Sequence, residues 1–488
     1  MNDTVHRVTG VEAVDAVPVD RRGQRSLYAS RPRIHPKLAQ GTYRRLKWIV
    51  MAVTLGIYYL TPWLRWDRGP NAPDQAVLLD FPARRFYFFF IEIWPQEIYY
   101  VTGLLILAAV GLFLVTSLAG RVWCGYTCPQ TVWTDLFIAI ERLVEGDRNA
   151  RIKLDRAPWT GGKVVRKAVK HALWLVVAVG TGGAWVFYFA DAPTLAGQLL
   201  TLQAPSVAYV FIGILTFTTY ALGGLAREQV CIYMCPWPRI QGAMLDEETL
   251  VVTYHPARGE PRGSHRAGEA WDARGHCIDC NQCVAVCPMG IDIRNGQQFE
   301  CITCALCIDA CDGVMGKLGL PKGLISYDTL AGVQKQAAGE KRRLRLVRPR
   351  TIFYALILVA VGAVMLATLL TRASLELNIQ RDRNPLYVLL ADGSIRNGYT
   401  VKILNKAHDE RRFELSVEGL PRAALTVVGQ DDGDGLEVPA DSLRSFRVFL
   451  AVPPAQIRPG SADLTFVIRD RVDGRQATQA NVFIAPGA

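Results

Sequence analysis

Two stretches decide how this chain folds: CIDCNQCVAVCP at residues 277–288 and CITCALCIDACD at residues 301–312. In each stretch, successive cysteines are separated by two, two and three residues. This is the ligand spacing of a bacterial-type ferredoxin that holds two [4Fe–4S] clusters. The pattern therefore predicts a ferredoxin-type domain that transfers single electrons.

In this arrangement three thiolates of one run bind one cluster, and the fourth cysteine crosses to the other cluster. Structural zinc and disulfides are the alternatives, but neither requires the doubled spacing. Asp312 stands where proline often follows the last cysteine, and it is not a ligand. We expect one cluster on Cys277, Cys280, Cys283 and Cys311, and the other on Cys301, Cys304, Cys307 and Cys287.

The composition favours a membrane protein in contact with a reducing compartment. Half of the 488 residues are hydrophobic, and the net charge is +11. All twelve cysteines lie between Cys124 and Cys311, whereas a secreted disulfide scaffold would scatter them. No signal peptide is expected.

Five apolar segments, each long enough to cross a bilayer as a helix, are predicted at residues 46–64, 98–120, 170–190, 207–226 and 351–371. Residues 1–47, 121–170 and 227–350 together carry 36 Lys and Arg residues, whereas the two loops on the other side of the spans, 65–97 and 191–206, carry 4. The basic side is expected to face the cytoplasm of a bacterial inner membrane, with the N-terminus inside and the C-terminus in the periplasm. Topology and anionic lipid account for the charge, so no nucleic-acid partner is expected.

These spans divide the chain into five parts. We expect a cytoplasmic tail at 1–45, a four-helix membrane domain at 46–240, a cytoplasmic 2[4Fe–4S] ferredoxin-type domain at 241–350, a fifth span at 351–371 and a periplasmic domain at 373–488.

An internal repeat lies within the membrane domain. The motif Cys-x-Tyr-x-Cys-Pro occurs from Cys124 to Pro129 and again from Cys231 to Pro236, and the offset is 107 for both cysteines (231 − 124 and 235 − 128). We interpret this as two copies of a two-helix hairpin, each with its cysteine pair on one helix face and a proline that opens the next helix. The four thiols are expected to approach one another, either as a metal site or as a structural or regulatory thiol cluster.

Residues 373–488 consist of short alternating runs, about seven strands, which suggests an immunoglobulin-like sandwich. This domain is expected either to dock a partner or to act as a stabilising cap. The chain lacks Cys-x-x-Cys-His, so a c-type haem is not expected, and it lacks a nucleotide-binding fingerprint.

Together these features resemble the cytochrome c oxidase accessory proteins called CcoG, FixG or RdxA. The resemblance rests on the double cysteine run, the two Cys-x3-Cys-Pro pairs, five spans and the C-terminal sandwich. It implies a role in assembling cbb3-type cytochrome c oxidase and a cupric reductase activity that converts Cu(II) to Cu(I).

Thiolate chemistry then suggests which residues handle copper, and the resemblance suggests partners. Copper, as substrate, would be handled by Cys124, Cys128, Cys231 and Cys235, since soft thiolates favour Cu(I). The expected partners are oxidase subunits or a copper transporter or chaperone, and a homodimer is left open. The electron donor also stays open among quinol, ferredoxin and flavoprotein. The alternative function is an electron relay or scaffold subunit that passes electrons to a protein partner without acting on copper.

Overall fold

The structure is a computed structural model that describes residues 14, 33–69, 72–265, 271, 274–340, 344–373, 375–430, 435–456 and 460–486. The chain divides into two compact units. The first comprises residues 1–64 and 76–365, and the second comprises residues 65–75 and 366–488. Most of the predicted N-terminal tail lies outside the described residues.

The first unit is mainly helical. Its helices are α1 (Thr42–Leu60), α2 (Tyr99–Ala119), α3 (Val122–Tyr126), α4 (Pro129–Glu145), α5 (Arg148–Arg156), α6 (Gly161–Val186), α7 (Ala192–Leu200), α8 (Ser206–Thr218), α9 (Trp237–Met244), α10 (Pro256–Gly259), α11 (Gln282–Val286), α12 (Leu306–Lys317), α13 (Leu330–Ala337) and α14 (Pro349–Leu370), which extends into the second unit. Two π-helical segments, Thr219–Ala226 and Val230–Met234, follow α8.

Four helices of the described chain are long and apolar enough to span a membrane: Pro95–Ala119, Gly161–Val186, Ser206–Ala226 and Pro349–Leu370. They correspond to four of the five predicted spans, although the α6 span begins nine residues earlier than the predicted residue 170. The remaining predicted span coincides with α1. That helix carries Arg44, Arg45 and Lys47 in its first turns, so its composition does not mark it as a span. The count of five spans stays a prediction.

Two small sheets complete the first unit. Strands β1 (Val77–Asp80), β2 (Arg85–Phe88) and β3 (Ile91–Ile93) form an antiparallel meander that the sequence analysis did not anticipate. Strands β4 (Val251–Tyr254) and β5 (Ile325–Asp328) pair antiparallel on either side of the cysteine runs along the chain. This pairing joins the two ends of the chain segment that contains the eight cysteines.

The described part of the predicted tail, residues 33–45, is packed rather than loose. The backbone N–H of Lys37 donates to the carbonyl of Ala285 at 2.8 Å, and Ala39 is buried. Arg44 donates to both carboxylate oxygens of Asp135 at 3.0 and 2.8 Å. This segment therefore belongs to the folded body around the cysteines.

The second unit is an all-antiparallel β-sandwich, as the alternating pattern predicts, but its described part has nine strands rather than about seven. Its strands are β6 (Leu375–Arg381), β7 (Val388–Leu389), β8 (Ile395–Asn405), β9 (Arg411–Glu418), β10 (Ala424–Val427), β11 (Leu436–Val438), β12 (Ser442–Val452), β13 (Gly460–Asp470) and β14 (Gln476–Ala485). One sheet has the order β10-β12-β8-β6, with β7 on β8, and the other has the order β11-β9-β13-β14. Inward residues such as Tyr399, Val448 and Phe466 are fully buried between the sheets, which is the two-sheet packing that alternation requires.

Candidate functional site

Residues in a left-handed backbone conformation shape both cysteine runs. Asp279 and Asn281 have φ angles of 53° and 54°, and Thr303 and Ala305, at the same offset that relates the two runs, have 55° and 60°. Non-glycine residues adopt this conformation rarely. The two runs therefore follow the same looped path, which turns cysteines spaced by two residues toward one centre.

The eight thiols fall into two groups of four. Burial raises the pKa of Cys311, and the charges of Cys283, Cys280 and Cys277 raise it further. Burial likewise raises the pKa of Cys307, followed by the charges of Cys304, Cys301 and Cys287, with a smaller effect of Cys283 from the other group. Each group thus contains three cysteines of one run and the last cysteine of the other, which is the crossed arrangement that the spacing predicts. Ligation itself stays a prediction.

Burial disfavours the thiolate form at several of these cysteines. It raises the pKa of Cys283 to about 12 and that of Cys301 to about 11. A buried thiolate needs a compensating positive charge. A coordinated metal ion supplies that charge, and the thiol therefore loses its proton. The donor chemistry of both groups therefore suits metal ligation better than exposed thiol reactivity.

All twelve cysteines are free thiols in the described chain, as metal ligation requires. Two runs of four cysteines with the same spacing are typical of two [4Fe–4S] clusters, whereas a structural zinc ion needs only four ligands.

The repeated Cys-x-Tyr-x-Cys-Pro motifs form a separate four-thiol site, defined here as Cys124, Cys128, Cys231 and Cys235. Burial raises the pKa of Cys231 to about 12, and the charges of Cys128, Cys124 and Cys235 contribute. These mutual effects show that the four thiols lie near one another, as the repeat predicts.

The prediction that each cysteine pair shares a helix face was wrong. Helix α3 ends at Tyr126, and Cys128 precedes α4 with φ −57° and ψ 127°. Cys235 ends the second π-helical segment with φ −79° and ψ 122°. The chain is extended at both positions because a proline follows, and proline disfavours a helical residue before it. Pro129 does open α4, as predicted.

The four-thiol site packs directly against one of the two cysteine groups. Cys124 is buried in the same apolar cluster as Cys304, and Cys231, Cys287 and Cys301 pack at its edge. The Tyr126 hydroxyl donates to the Cys304 carbonyl at 3.1 Å. A Cβ atom on Gly125 would lie 2.6 Å from the Ile302 carbonyl oxygen, so only glycine permits this approach.

Three polar residues that support these sites were missed from the sequence. The amide of Gln241, which is fully buried, accepts a hydrogen bond from Cys124 Sγ at 3.1 Å and donates to Thr116 Oγ1 at 3.2 Å. Arg121 is also buried and lowers the pKa of Cys124 against the larger effect of burial. Arg294 donates to the Asn281 side chain at 2.7 Å and so fixes the first cysteine loop. Of these three residues, only Arg121 could have been noted from the sequence, because it lies three residues before Cys124.

Comparisons with known proteins agree with this architecture. Residues 226–330 match the family model described as a 4Fe-4S dicluster domain, and residues 101–145 match a 4Fe-4S binding domain. Residues 365–486 match the model of the IG-like fold at the C-terminal of FixG. The chain thus combines iron–sulfur domains, apolar helices of membrane-spanning length and an immunoglobulin-like domain, which indicates iron–sulfur electron transfer at a membrane.

Relatives match over almost the whole length. The nitrogen fixation protein FixG of Rhizobium meliloti is 54% identical over 95% of this chain and 94% of its own length. Protein RdxA of Cereibacter sphaeroides is 52% identical over 92% of this chain and 94% of its own length. Protein RdxB of the same organism is 52% identical over 95% of this chain and 98% of its own length. With this identity over nearly complete chains, and with the FixG-type domain at its C-terminal end, the protein belongs to the FixG/RdxA family.

Proposed function

We propose that this protein reduces Cu(II) to Cu(I) at the four-thiol site, on the cytoplasmic side of a bacterial inner membrane, for the assembly of cbb3-type cytochrome c oxidase. The observation that carries the proposal is the packing of Cys124 and Gly125 against the loop that holds Cys304. A substrate ion bound by these thiols would lie beside a redox centre.

The two groups of four cysteines and the four-thiol site have different chemical roles. Two [4Fe–4S] clusters, held by the two groups of four cysteines, would supply single-electron transfer. The four thiols supply soft ligands, which favour Cu(I) over Cu(II) and so stabilise the product of a one-electron reduction. Gln241 orients the Cys124 thiol through its hydrogen bond, and Arg121 favours the thiolate at the same position.

The proposed topology has five spans, with α1 as the first. It rests on the uneven distribution of Lys and Arg and on the apolar residues exposed along α1, including Ile49, Val53 and Ile57. In this arrangement the cysteines face the cytoplasm and the sandwich faces the periplasm. We propose oxidase subunits or a copper transporter or chaperone as the recipient of Cu(I).

The experiment compares the full chain, purified without oxygen, with a variant in which the cysteines of the four-thiol site are all replaced by serine. The clusters are first reduced with dithionite, and the excess reductant is removed. Cu(II) is then added, so that each ion takes one electron from a reduced cluster, and Cu(I) is measured with a chromogenic chelator. We expect the variant to lose Cu(I) formation and to retain about eight iron atoms per chain, the content of two [4Fe–4S] clusters.

Cu(I) formation that survives the fourfold replacement would contradict the proposal. It would favour the second candidate, a relay that passes electrons to a protein partner. Replacing Cys283 by serine in a parallel preparation provides the converse control, because iron should fall while the four thiols stay intact.

A further inference from the structure

A basic cavity of about 730 Å³, with no cysteine in its lining, lies in the first unit. It is formed where α6 begins and where the π-helical extension of α8 ends. Both helices are candidate spans, so the cavity lies at a boundary between the apolar and polar parts of the molecule. Its charged lining consists of Arg33, Lys163, Lys167, Lys170, Arg227, Asp155 and Glu228.

The carboxylates around this cavity do not balance its cations. Glu141 and Glu145, buried beneath the lining, pair with Lys170 at 3.5 and 3.1 Å. Glu141 also pairs with Arg151 at 3.0 Å. Including these residues, six cations surround four carboxylates: Arg33, Arg151, Lys163, Lys167, Lys170 and Arg227 against Glu141, Glu145, Asp155 and Glu228.

Lys163 contributes to this excess. Its side chain is 6% exposed, and its Nζ donates to the backbone carbonyls of Asp155 and Ala157 at 3.0 and 2.7 Å. Carbonyl groups satisfy the hydrogen bonds of an ammonium group but do not neutralise its charge. A buried cation is expensive without a counter-charge, so Lys163 favours an anion in the cavity.

Arg227 gives the second indication. It is 6% exposed. Its Nη2 pairs with Glu141, but its Nη1 is buried with no hydrogen-bond partner in the described part of the chain. Its backbone has φ 46° and ψ −116°, close to the φ 60° and ψ −130° of Gly120, its counterpart at the 107-residue offset of the repeat (227 − 120). Arginine therefore occupies a conformation that glycine adopts without strain, which points to a role for its side chain that compensates for the strain.

The border of the cavity is apolar. Trp159 and Leu225 line it and are 74% and 60% exposed, and Val165 on the neighbouring turn of α6 is 61% exposed. Lys163 Nζ lies 4.9 Å from the centre of the Trp159 ring. Tryptophan is enriched at membrane interfaces, and basic pockets between membrane helices bind anionic headgroups.

We propose that this cavity binds the phosphate of an anionic phospholipid, with Lys163, Arg33 and Arg227 as its ligands and the acyl chains along α6. An anionic phospholipid and free inorganic phosphate both carry the phosphate group that these cations would bind. A free phosphate lacks the acyl chains that the exposed residues at the border would contact.

The test uses the full chain in mixed detergent micelles that contain phosphatidylglycerol or phosphatidylcholine, and native mass spectrometry counts the lipid retained. We expect phosphatidylglycerol to bind at least tenfold more tightly than phosphatidylcholine. A variant with Arg33→Gln and Lys163→Gln should lose most of this preference, because glutamine can still donate to the carbonyls but carries no charge. The control is Arg166→Gln, which removes an exposed cation of α6 that does not line the cavity.

Three outcomes would overturn the proposal. The two lipids could bind equally, Arg166→Gln could reduce the preference as much as the double variant, or millimolar inorganic phosphate could displace the lipid completely, which would assign the cavity to free phosphate. Arg33→Gln alone is the second test variant. The Arg33 side chain is half exposed, so this change should not prevent folding, and it should still weaken the preference several-fold.

Discussion

At the scale of single residues, Gly125 sets the distance between the four-thiol site and the Cys304 loop. Any side chain at this position would meet the Ile302 carbonyl at 2.6 Å and the Cys304 backbone nitrogen at 3.1 Å. Both contacts are with backbone atoms, which cannot rotate away. The first repeat must therefore move as a whole if a methyl group is added.

We predict that Gly125→Ala lowers copper reduction while iron content stays unchanged. Overpacking of this kind costs about 1–3 kcal/mol, and a displacement of the order of 1 Å can reduce a rate by about 100-fold. The measurements are Cu(I) formation, iron content and the thermal unfolding midpoint. Gly111→Ala on α2 is the matched control, since a Cβ there meets nothing within 4 Å. Equal activity of the two variants would show that the close contact has no functional role.

At the scale of elements, Glu141 joins four helical segments. It lies on α4 and pairs with Arg151 on α5 and Lys170 on α6, and also with Arg227, which follows the first π-helical segment. Burial alone would raise the pKa of Glu141, but the charges and hydrogen bonds of Arg227, Arg151 and Lys170 outweigh it and lower the pKa to about 2. The carboxylate therefore stabilises the fold in its charged form.

We predict that Glu141→Gln destabilises the first unit by about 3 kcal/mol near neutral pH, because it leaves buried cations without their partner. The stabilisation by Glu141 is complete above its unfolded pKa of about 4.5 and is lost as the pH falls through its folded pKa of about 2. The difference in thermal midpoint between wild type and variant should therefore shrink between pH 5 and pH 2. Glu340→Gln, which changes an exposed carboxylate, should show no such difference, and a difference independent of pH would contradict the assignment.

The same elements show how far sequence reasoning reaches. The strands of the sandwich and the crossed grouping of the eight cysteines follow from local patterns, because alternation and short loops determine them. The helix breaks between Cys124 and Cys128 because Pro129 follows. The sequence analysis took the spacing of four residues as evidence that both cysteines lie on one helix face, and this was wrong. The contact between Gly125 and Ile302 joins segments far apart in the chain, so it had no signal in the sequence. The meander β1–β3 was missed because the sequence analysis assigned no strands between the first two predicted spans.

At the scale of the whole molecule, the proposed topology makes a prediction about accessibility. Val472 is 72% exposed in a turn of the sandwich, and Leu143 is 81% exposed on α4. Basic segments are retained in the cytoplasm, so Val472 should face the periplasm and Leu143 the cytoplasm. With Val472→Cys, intact cells should react with a membrane-impermeant maleimide. With Leu143→Cys, reaction should require permeabilised cells, and the unaltered chain gives the background. The reverse pattern would contradict the topology.

Both kinds of site are built from two halves of one chain. Each cysteine run supplies three thiols to its own group and one to the other group, and each Cys-x-Tyr-x-Cys-Pro motif supplies two thiols to the four-thiol site. A chain with a single copy of each motif would hold only part of each site, and a second molecule would be needed to complete it. Covalent linkage removes this dependence, since the effective concentration of one half for the other is then set by the connecting chain. Completion of the sites therefore does not vary with how much of the protein a cell makes.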